Sequence, residues 1–551
     1  MSETQSINNL HSNKKIKMGG TILFIISIPF FLLGQTFHNR DMSYLVDDLQ
    51  DKGVQFHSYH HDIAAWGEYL KRPHPTVETL NRFFEEAAQE FNVPVDLLKA
   101  IGLVETNWTQ IGPSIDQGWG ILHLVENDYA HTLSDAAKIL EVSHRVLQED
   151  ARMNIRGGAA LLAYVAGIDR MSFTKPEDWF DAVKIFTGLI SDELQELQAQ
   201  QYYDVLKNGR TSETIWGEKI VLSPHNEINI EPKLKFIKPR SDDYSGAIEN
   251  LTPCNYTTGR NHIIDTWTNH WIGVGTYAGA ISWFHNCEAY ASAHFVIRAS
   301  DGEITQVVLV ANTAWHAGAS GYPHNNSRSI GVEHEATITH PEYWNSIPML
   351  QASTDMALFF CDQYDIPKVR DLPGIRGHQE MPGTATDCPG NLPWEIWMAM
   401  LNAPPEILVE INMELGWNLI GLPVEVNDSH YLTLFPDAVE ESLYSFSDVY
   451  SSEDTLENGI GYWLYFENAD TVSIFGTAIN EVTIQLIEGW NLISGVSTPV
   501  NTETIVDTGE LIISNSIYTF DVAYDTTNVL MPGLGYWLRS NGDGVITLNG
   551  R

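Results

Sequence analysis

The chain has 551 residues, with 71 acidic against 31 basic side chains and a net charge of −40. That balance argues against a nucleic-acid partner, whose phosphates require basic patches. Apolar residues make up 43%, so several cores can form, and the length predicts about three or four domains at roughly 150 residues each.

At the N-terminus, Lys14, Lys15 and Lys17 precede the apolar run ILFIISIPFFLL at 22–33, then Gly34 and Gln35. The run has about 12 residues, short of the ~20 that a membrane helix needs. It fits a signal-peptide core. Residues 1–35 are therefore read as a signal peptide, and the mature chain as secreted or periplasmic, in the cell envelope. No stable membrane insertion is expected once the signal is removed. Met18 is an alternative start that would remove the lysines. In an oxidising compartment Cys254 and Cys287, which flank a predicted strand, are the pair expected to bond. Cys361 sits in the apolar run MALFFCDQY and reads as a buried thiol.

Residues 36–215 read as mostly helical. Leu80, Phe83, Phe84 and Ala87 recur at helical spacing. A second helix, VDLLKAIGLVE, follows Pro94 and ends at Glu105. A turn-rich stretch, GPSIDQGWGILHL, comes next, and further helices fit Ser134–Leu140, Ser143–Glu149 and Asn154–Val165. VPVDLLKAIGLVETNW, SIDQGWGILHL and ARMNIRGGAALLAYV in this order resemble the lysozyme-like transglycosylase domain. The resemblance implies that Glu105 is a catalytic glutamate. A general acid of that kind must stay protonated near neutral pH, in apolar and aromatic surroundings, which Trp108 and Trp119 could supply. The chain departs from that family at Leu122-His123, where Met-Gln is usual. That leaves two readings of the region, glycan cleavage or glycan binding alone.

Residues 216–250, polar and with Pro224, Pro232 and Pro239, read as a linker. A second domain is expected over 251–403. Its predicted elements are a strand His262–Trp271, a helix Tyr277–Phe284, and a hairpin Ser292–Val308 turning at Asp301-Gly302. A strand Ser329–Ile338 and a main helix Pro341–Tyr364 follow. The stretch GHQEMPGTATDCPG at 377–390 has no helical period, two prolines and three glycines, so it is a loop that can turn His378 and Cys388 to one point. Imidazole and thiolate are good zinc ligands, and a catalytic zinc takes three protein ligands and keeps a fourth position open.

TYAGAISWF, SAHFVI with its ASDG turn, AWHAG, SIGVEHE and GHQEMPGTATDCPG resemble the zinc N-acetylmuramoyl-L-alanine amidase family, which includes peptidoglycan-recognition proteins. The resemblance implies an α/β fold with a central mixed sheet. It implies Zn2+ held by His270, His378 and Cys388, with His262 as the fallback for His270. Glu333 becomes the acid/base, with Glu335 the alternative if the strand register slips. Thr386, where some members have lysine and others threonine, becomes a hydrogen-bond donor to the oxyanion. His294 reads as a cleft residue or a support for the ligands, and His316 as lining the substrate groove. Tyr277 and Trp315 are equally readable as core or as substrate contacts, and His334 as packing.

The remainder is a repeat. GWNLIGLPV at Gly416 returns as GWNLISGVS at Gly489, LYSFSDVY as IYTFDVAY, and GIGYWL at Gly459 as GLGYWL at Gly533. Two tandem all-β domains are expected, 406–480 and 481–551. Their tryptophans read as core more readily than as sugar platforms. The whole chain thus reads as multidomain: a lysozyme-like helical domain, a zinc amidase and tandem β-repeats. The expected function is that of a secreted peptidoglycan hydrolase cutting between N-acetylmuramic acid and L-alanine. The rivals are a non-catalytic recognition protein, and a transglycosylase whose amidase domain only docks.

Overall fold

The computed structural model describes residues 36–38, 63–230, 239–318, 325–384, 386–521 and 523–550. The apolar run at 22–33 and its lysines lie outside them. Among the described residues no helix is long and apolar enough to cross a membrane. The chain divides into two compact units, 1–397 and 398–551.

The first unit opens with α1 (Ile63–Leu70), α2 (Val77–Phe91), α3 (Val95–Thr106), α4 (Thr132–Leu140), α5 (His144–Glu149), α6 (Ala151–Ala166), α7 (Phe180–Phe186) and α8 (Asp192–Asn208). Caps fix several of the starts. Thr76, Asp150 and Ser191 accept backbone N–H bonds from the first turns of α2, α6 and α8. Leu80, Phe84, Leu97, Leu98, Ile101, Leu122, Ile155 and Leu162 meet in one core. The stretch read as a linker is partly structured. Strand β1 (Arg210–Glu213) pairs antiparallel with β2 (Lys219–Leu222), and β3 (Ala247–Glu249) is an edge strand of the following sheet.

That sheet adds β4 (Thr266–Gly273), β5 (Phe295–Ile297), β6 (Ile304–Gln306), β7 (Ser329–Thr337) and β8 (Gly374–Gly377), in the order β8-β4-β7-β5-β6-β3. β8, β4, β7 and β5 run parallel, and the β5–β6 hairpin is antiparallel. Every residue of β4 and β7 is buried, as expected for parallel strands covered on both faces. Helix α9 (Tyr277–His285) packs on one face, beside Ile272 and Val296. Helix α10 (Ile347–Tyr364) covers the other, with Phe360 against Trp267 and Phe295. β4 begins at Thr266, four residues later than the alternation at His262 suggests. Cys254 and Cys287 are disulfide-bonded, and Cys361 is a buried free thiol.

The helical region and the sheet are not separate domains. Ile115, Leu189 and Leu194 share a core with Ile272, Tyr277, Ala278 and Ile281. Asn107 Nδ2 donates to the Thr339 carbonyl at 3.0 Å, and His340 Nε2 to that of Leu103 at 2.8 Å. Nothing local in the sequence marks this shared interior.

In the second unit both repeats build a strand pair and a four-stranded sheet, the pair being extended by Val424–Glu425 in the first copy. β9 (Glu406–Met413) pairs with β14 (Asp470–Ala478). Beside them lies β10 (Gly416–Gly421)-β13 (Gly461–Phe466)-β11 (Tyr444–Ser447)-β12 (Val449–Ser452). The second copy repeats this with β15 (Glu481–Leu486) on β20 (Gly544–Asn549). Its four-stranded sheet is β16 (Gly489–Ser494)-β19 (Gly535–Ser540)-β17 (Ile512–Asp521)-β18 (Ala523–Thr526). The copies join through matched contacts, as a two-fold axis requires. Ile420 bridges Leu534 as Ile493 bridges Ile460, and Phe446 packs on Trp537 as Phe520 packs on Trp463.

Candidate active site

The register of three parallel strands builds the site. His270 on β4 lies level with Glu333 on β7, which lies level with Val296 on β5, so the three side chains share a face. β8 ends at Gly377, level with Asn269, and His378 comes next. The loop beyond folds back as Gln379 N donates to the Cys388 carbonyl at 2.7 Å. Gly390 closes the turn at φ +62°, where a Cβ would lie 2.6 Å from the Trp271 ring, so only glycine fits. The nearest ligand atoms of His270, His378 and Cys388 consequently lie within 4.8 Å of one another, all three residues buried. His270 Nδ1 is 3.5 Å from Cys388 Sγ, and Trp271 N donates to that sulfur at 3.4 Å. His262 is not part of this cluster and pairs with Ser327 Oγ.

Glu333 faces the same point. It is fully buried, 3.9 Å from His270 Nδ1, and neither carboxylate oxygen has a hydrogen-bond partner. Burial pushes its carboxyl well above the usual range. Burial likewise raises the Cys388 thiol, and the Glu333 charge adds to the effect. An orphaned buried carboxylate is costly, and a buried thiol needs a cation to become a thiolate ligand. Two imidazoles and one sulfur beside such a carboxylate match the donor set of a zinc site with an open position. The residues fit that ion.

A chain of hydrogen bonds aims His270. Ser329 Oγ donates to the Asn325 carbonyl at 2.6 Å, so it accepts from His316 Nε2 at 3.1 Å. His316 Nδ1 is then bare and accepts from His270 Nε2 at 3.0 Å. This leaves the His270 Nδ1 lone pair directed at the cluster, and such partners tune metal ligands. The expectation that His316 lines the substrate groove is corrected: it is 1% exposed and lies behind His270. Sequence reasoning missed Ser329 and Gly331. A Cβ at Gly331 would meet His316 Cγ at 2.3 Å. A glycine inside a strand was the available sign of close approach.

Other expected contacts also move inward. His294 is fully buried and accepts from Gly331 N at 3.0 Å, bracing β5 against β7. Tyr277 is buried, its hydroxyl bonded to Thr305 Oγ1 at 2.5 Å, and it is no surface contact at the metal cluster. Glu335 is occupied by the backbone amides of Tyr277 and Ala299, at 2.9 and 2.8 Å, which leaves Glu333 to face the cluster alone. His334 packs between the His270 carbonyl and Ser353. Trp315 stays half-buried, its indole N–H on Thr257. Thr386 Oγ1 accepts from Cys388 N at 3.2 Å, beside the ligand loop.

Residues 260–391 match the family model described as N-acetylmuramoyl-L-alanine amidase. A stretch covering 29% of the chain is 33% identical, over 181 residues, to 96% of N-acetylmuramoyl-L-alanine amidase A of Achromobacter lyticus. The chain belongs to the N-acetylmuramoyl-L-alanine amidase family. Solved structures similar to it include a mutant endolysin from Bacillus subtilis, 20% identical at a TM-score of 0.23, covering 28% of this chain and 98% of that one. An N-acetylmuramoyl-L-alanine amidase of Clostridium intestinale is 21% identical at a TM-score of 0.21, covering 28% and 97%. On the family model and the Achromobacter relative, the protein is an N-acetylmuramoyl-L-alanine amidase.

Glu105 of the amidase's helical region sits differently. It is 1% exposed at the end of α3. Oε1 accepts from the Tyr202 hydroxyl and, at 3.0 Å, from Gln198 Nε2, both on α8. Oε2 lies 3.3 Å from His123 Nδ1. His123 Nε2 is 2.9 Å from Asp116 Oδ1, which accepts from Ser114 at 2.6 Å. Burial alone would lower His123, but the charges of Asp116 and Glu105 outweigh it and hold the imidazole up at about 9. α9 closes over this cluster. A Cβ at Gly279 would lie 3.2 Å from Asp116 Oδ2, and Ser282 Oγ bonds the Tyr129 hydroxyl at 3.0 Å. Among the described residues Glu105 is enclosed, whereas the lysozyme-like resemblance implies a catalytic glutamate. His123, where the chain departs from Met-Gln, is the residue that ties the two carboxylates together.

Proposed function

We propose that the amidase is a zinc-dependent peptidoglycan hydrolase of the cell envelope, exported by its N-terminal segment. It hydrolyses the amide between the lactyl group of N-acetylmuramic acid and L-alanine. The observation that carries this reading is Glu333, a buried carboxylate without hydrogen-bond partners aimed at His270, His378 and Cys388. A bound zinc ion supplies Lewis acidity toward water and the scissile carbonyl. Glu333 takes a proton from the attacking water and returns it to the departing alanine nitrogen, a task suited to its raised pKa. Thr386 donates its hydroxyl hydrogen to the oxyanion, an effect worth on the order of 3 kcal/mol for one donor. His316 and Ser329 keep His270 in the ligating tautomer.

The helical region supports the amidase sheet and does not cut glycan, because Glu105 is buried, held at Oε1 by Tyr202 and Gln198 of α8, and paired at Oε2 with His123. Mass spectrometry of digested peptidoglycan tests both statements. Peptides headed by free L-alanine, intact glycan strands and one zinc per purified chain are expected. Glycan fragments that persist in a Cys388→Ser variant and vanish in Glu105→Gln would overturn the assignment in favour of a transglycosylase.

A further inference from the structure

The second unit carries two copies of one aromatic constellation. In the first, Trp417, Tyr444, Tyr450 and Trp463, with Phe520 from the other repeat, line an open cavity of about 450 Å³. The second copy has Trp490, Tyr518, Tyr524 and Trp537, with Phe446 from the first repeat. Its rings repeat the spacings: Trp417 lies 5.9 and 6.4 Å from Tyr444 and Trp463, as Trp490 lies 5.8 and 6.2 Å from Tyr518 and Trp537. Large aromatics are left in solvent in both, with Trp417 44% and Trp490 41% exposed. The expectation that the repeat tryptophans are core holds for Trp537, at 8%, and not for these two.

One difference between the copies lies directly across from these two tryptophans. The cross-strand neighbour of Trp417 is Tyr465, and that of Trp490 is Arg539. The Arg539 guanidinium carbon sits 5.8 Å from the centre of the Trp490 ring, within the range at which a ring face attracts a cation. The second copy therefore holds a basic side chain of its own, whereas the first sets the neutral Tyr465 ring 5.2 Å from Trp417 and lines the cavity beside them with uncharged rings. The surroundings favour the same class of occupant: residues 398–551 contain 22 acidic side chains against Arg539 and Arg551, a field that concentrates cations and repels anions.

We propose that the aromatic cavity of the first repeat binds a basic amino-acid side chain of a peptide, its ammonium or guanidinium group resting on Trp417 and Trp463 as Arg539 rests on Trp490. This is independent of the zinc reading. Arg539 beside Trp490 and the acidic surroundings favour a peptide cation over a neutral sugar.

Quenching of tryptophan fluorescence in the full-length chain tests it, with acetyl-Gly-Lys-Gly-amide as the probe. The norleucine isostere of that peptide and a neutral N-acetylglucosamine tetramer are the comparisons. The lysine peptide should bind at least tenfold more tightly than either. Tyr465→Arg supplies the internal cation that the second copy already has, and should weaken binding at least tenfold. Arg539→Tyr vacates the second copy and should about double the saturating signal. Glu481→Gln, on the other sheet, makes the same change in charge as Tyr465→Arg and should leave binding unaltered. Equal binding of the norleucine peptide or the sugar overturns the proposal. So does unaltered binding by Tyr465→Arg with no gain in Arg539→Tyr.

Discussion

The first unit contains two buried sites where carboxylate and histidine meet, and they are opposites. At Glu105 the carboxylate has partners at both oxygens: Tyr202 and Gln198 hold one, His123 faces the other at 3.3 Å, and Asp116 sits on the far side of that imidazole. At Glu333 no hydrogen bond reaches either oxygen, and two imidazoles and a thiol converge nearby. Burial and residue type are alike, so neither identifies a reactive carboxylate. The distinction lies in partners: Glu105 is hydrogen-bonded at one oxygen and paired with an imidazole at the other, while Glu333 has no hydrogen bond at either. A connected network holds structure together, whereas a carboxylate outside one keeps its capacity for water, metal and substrate.

Exchanging the two glutamates gives the sharpest test of this contrast. Glu333→Gln should lower kcat about a thousandfold, within the usual range for an acid/base group. It should leave the thermal midpoint unchanged or raised, because Glu333 makes no hydrogen bond that the amide would lose. Glu105→Ala should do the reverse: about 3 kcal/mol of stability lost in urea unfolding, since an ionic partner is stripped from a buried network, with amidase kcat retained. A Glu105→Ala enzyme that keeps its stability would break the comparison.

Next in size are the residues that position His270. His316→Phe should weaken zinc binding by about 10- to 100-fold in chelator competition, and Ser329→Ala by about tenfold, the lower end of the same range. The smallest effect is in pH. His123 is raised from 6.5 to about 9 by its partners, so its contribution to stability is complete below about 6.5 and lost as pH rises through about 9. Melting curves should show this decline in the native chain and a flatter profile in His123→Gln.

The sequence carried the ligands because their cues are local. The amidase resemblance leads to His270, two prolines and three glycines announce the 377–390 loop, and imidazole and thiol are recognisable as donors. It placed Glu105 at a helix end, and α3 does end at Thr106. What it could not carry is who meets whom. Gln198 and Tyr202 lie 93 and 97 residues from Glu105, and no pattern in α8 names its partner. Alternation put Glu335 on the face of Glu333, but only the fold shows the N-terminus of α9 and Ala299 using that carboxylate. His316 read as a groove residue because its contact with His270 spans 46 positions. The repeat period was plain, yet the two-fold packing of the copies came from ring contacts that no period specifies.

The interior shared between the helices and the sheet decides how portable this enzyme is. Ile272, Ala278 and Ile281 are covered by Ile115, Leu189 and Leu194, so excising residues 251–403 as a cassette would bare an oily flank on the amidase. Transplanting the catalytic segment into another scaffold would require polar replacements along the outer surface of α9, or carrying α8 with it.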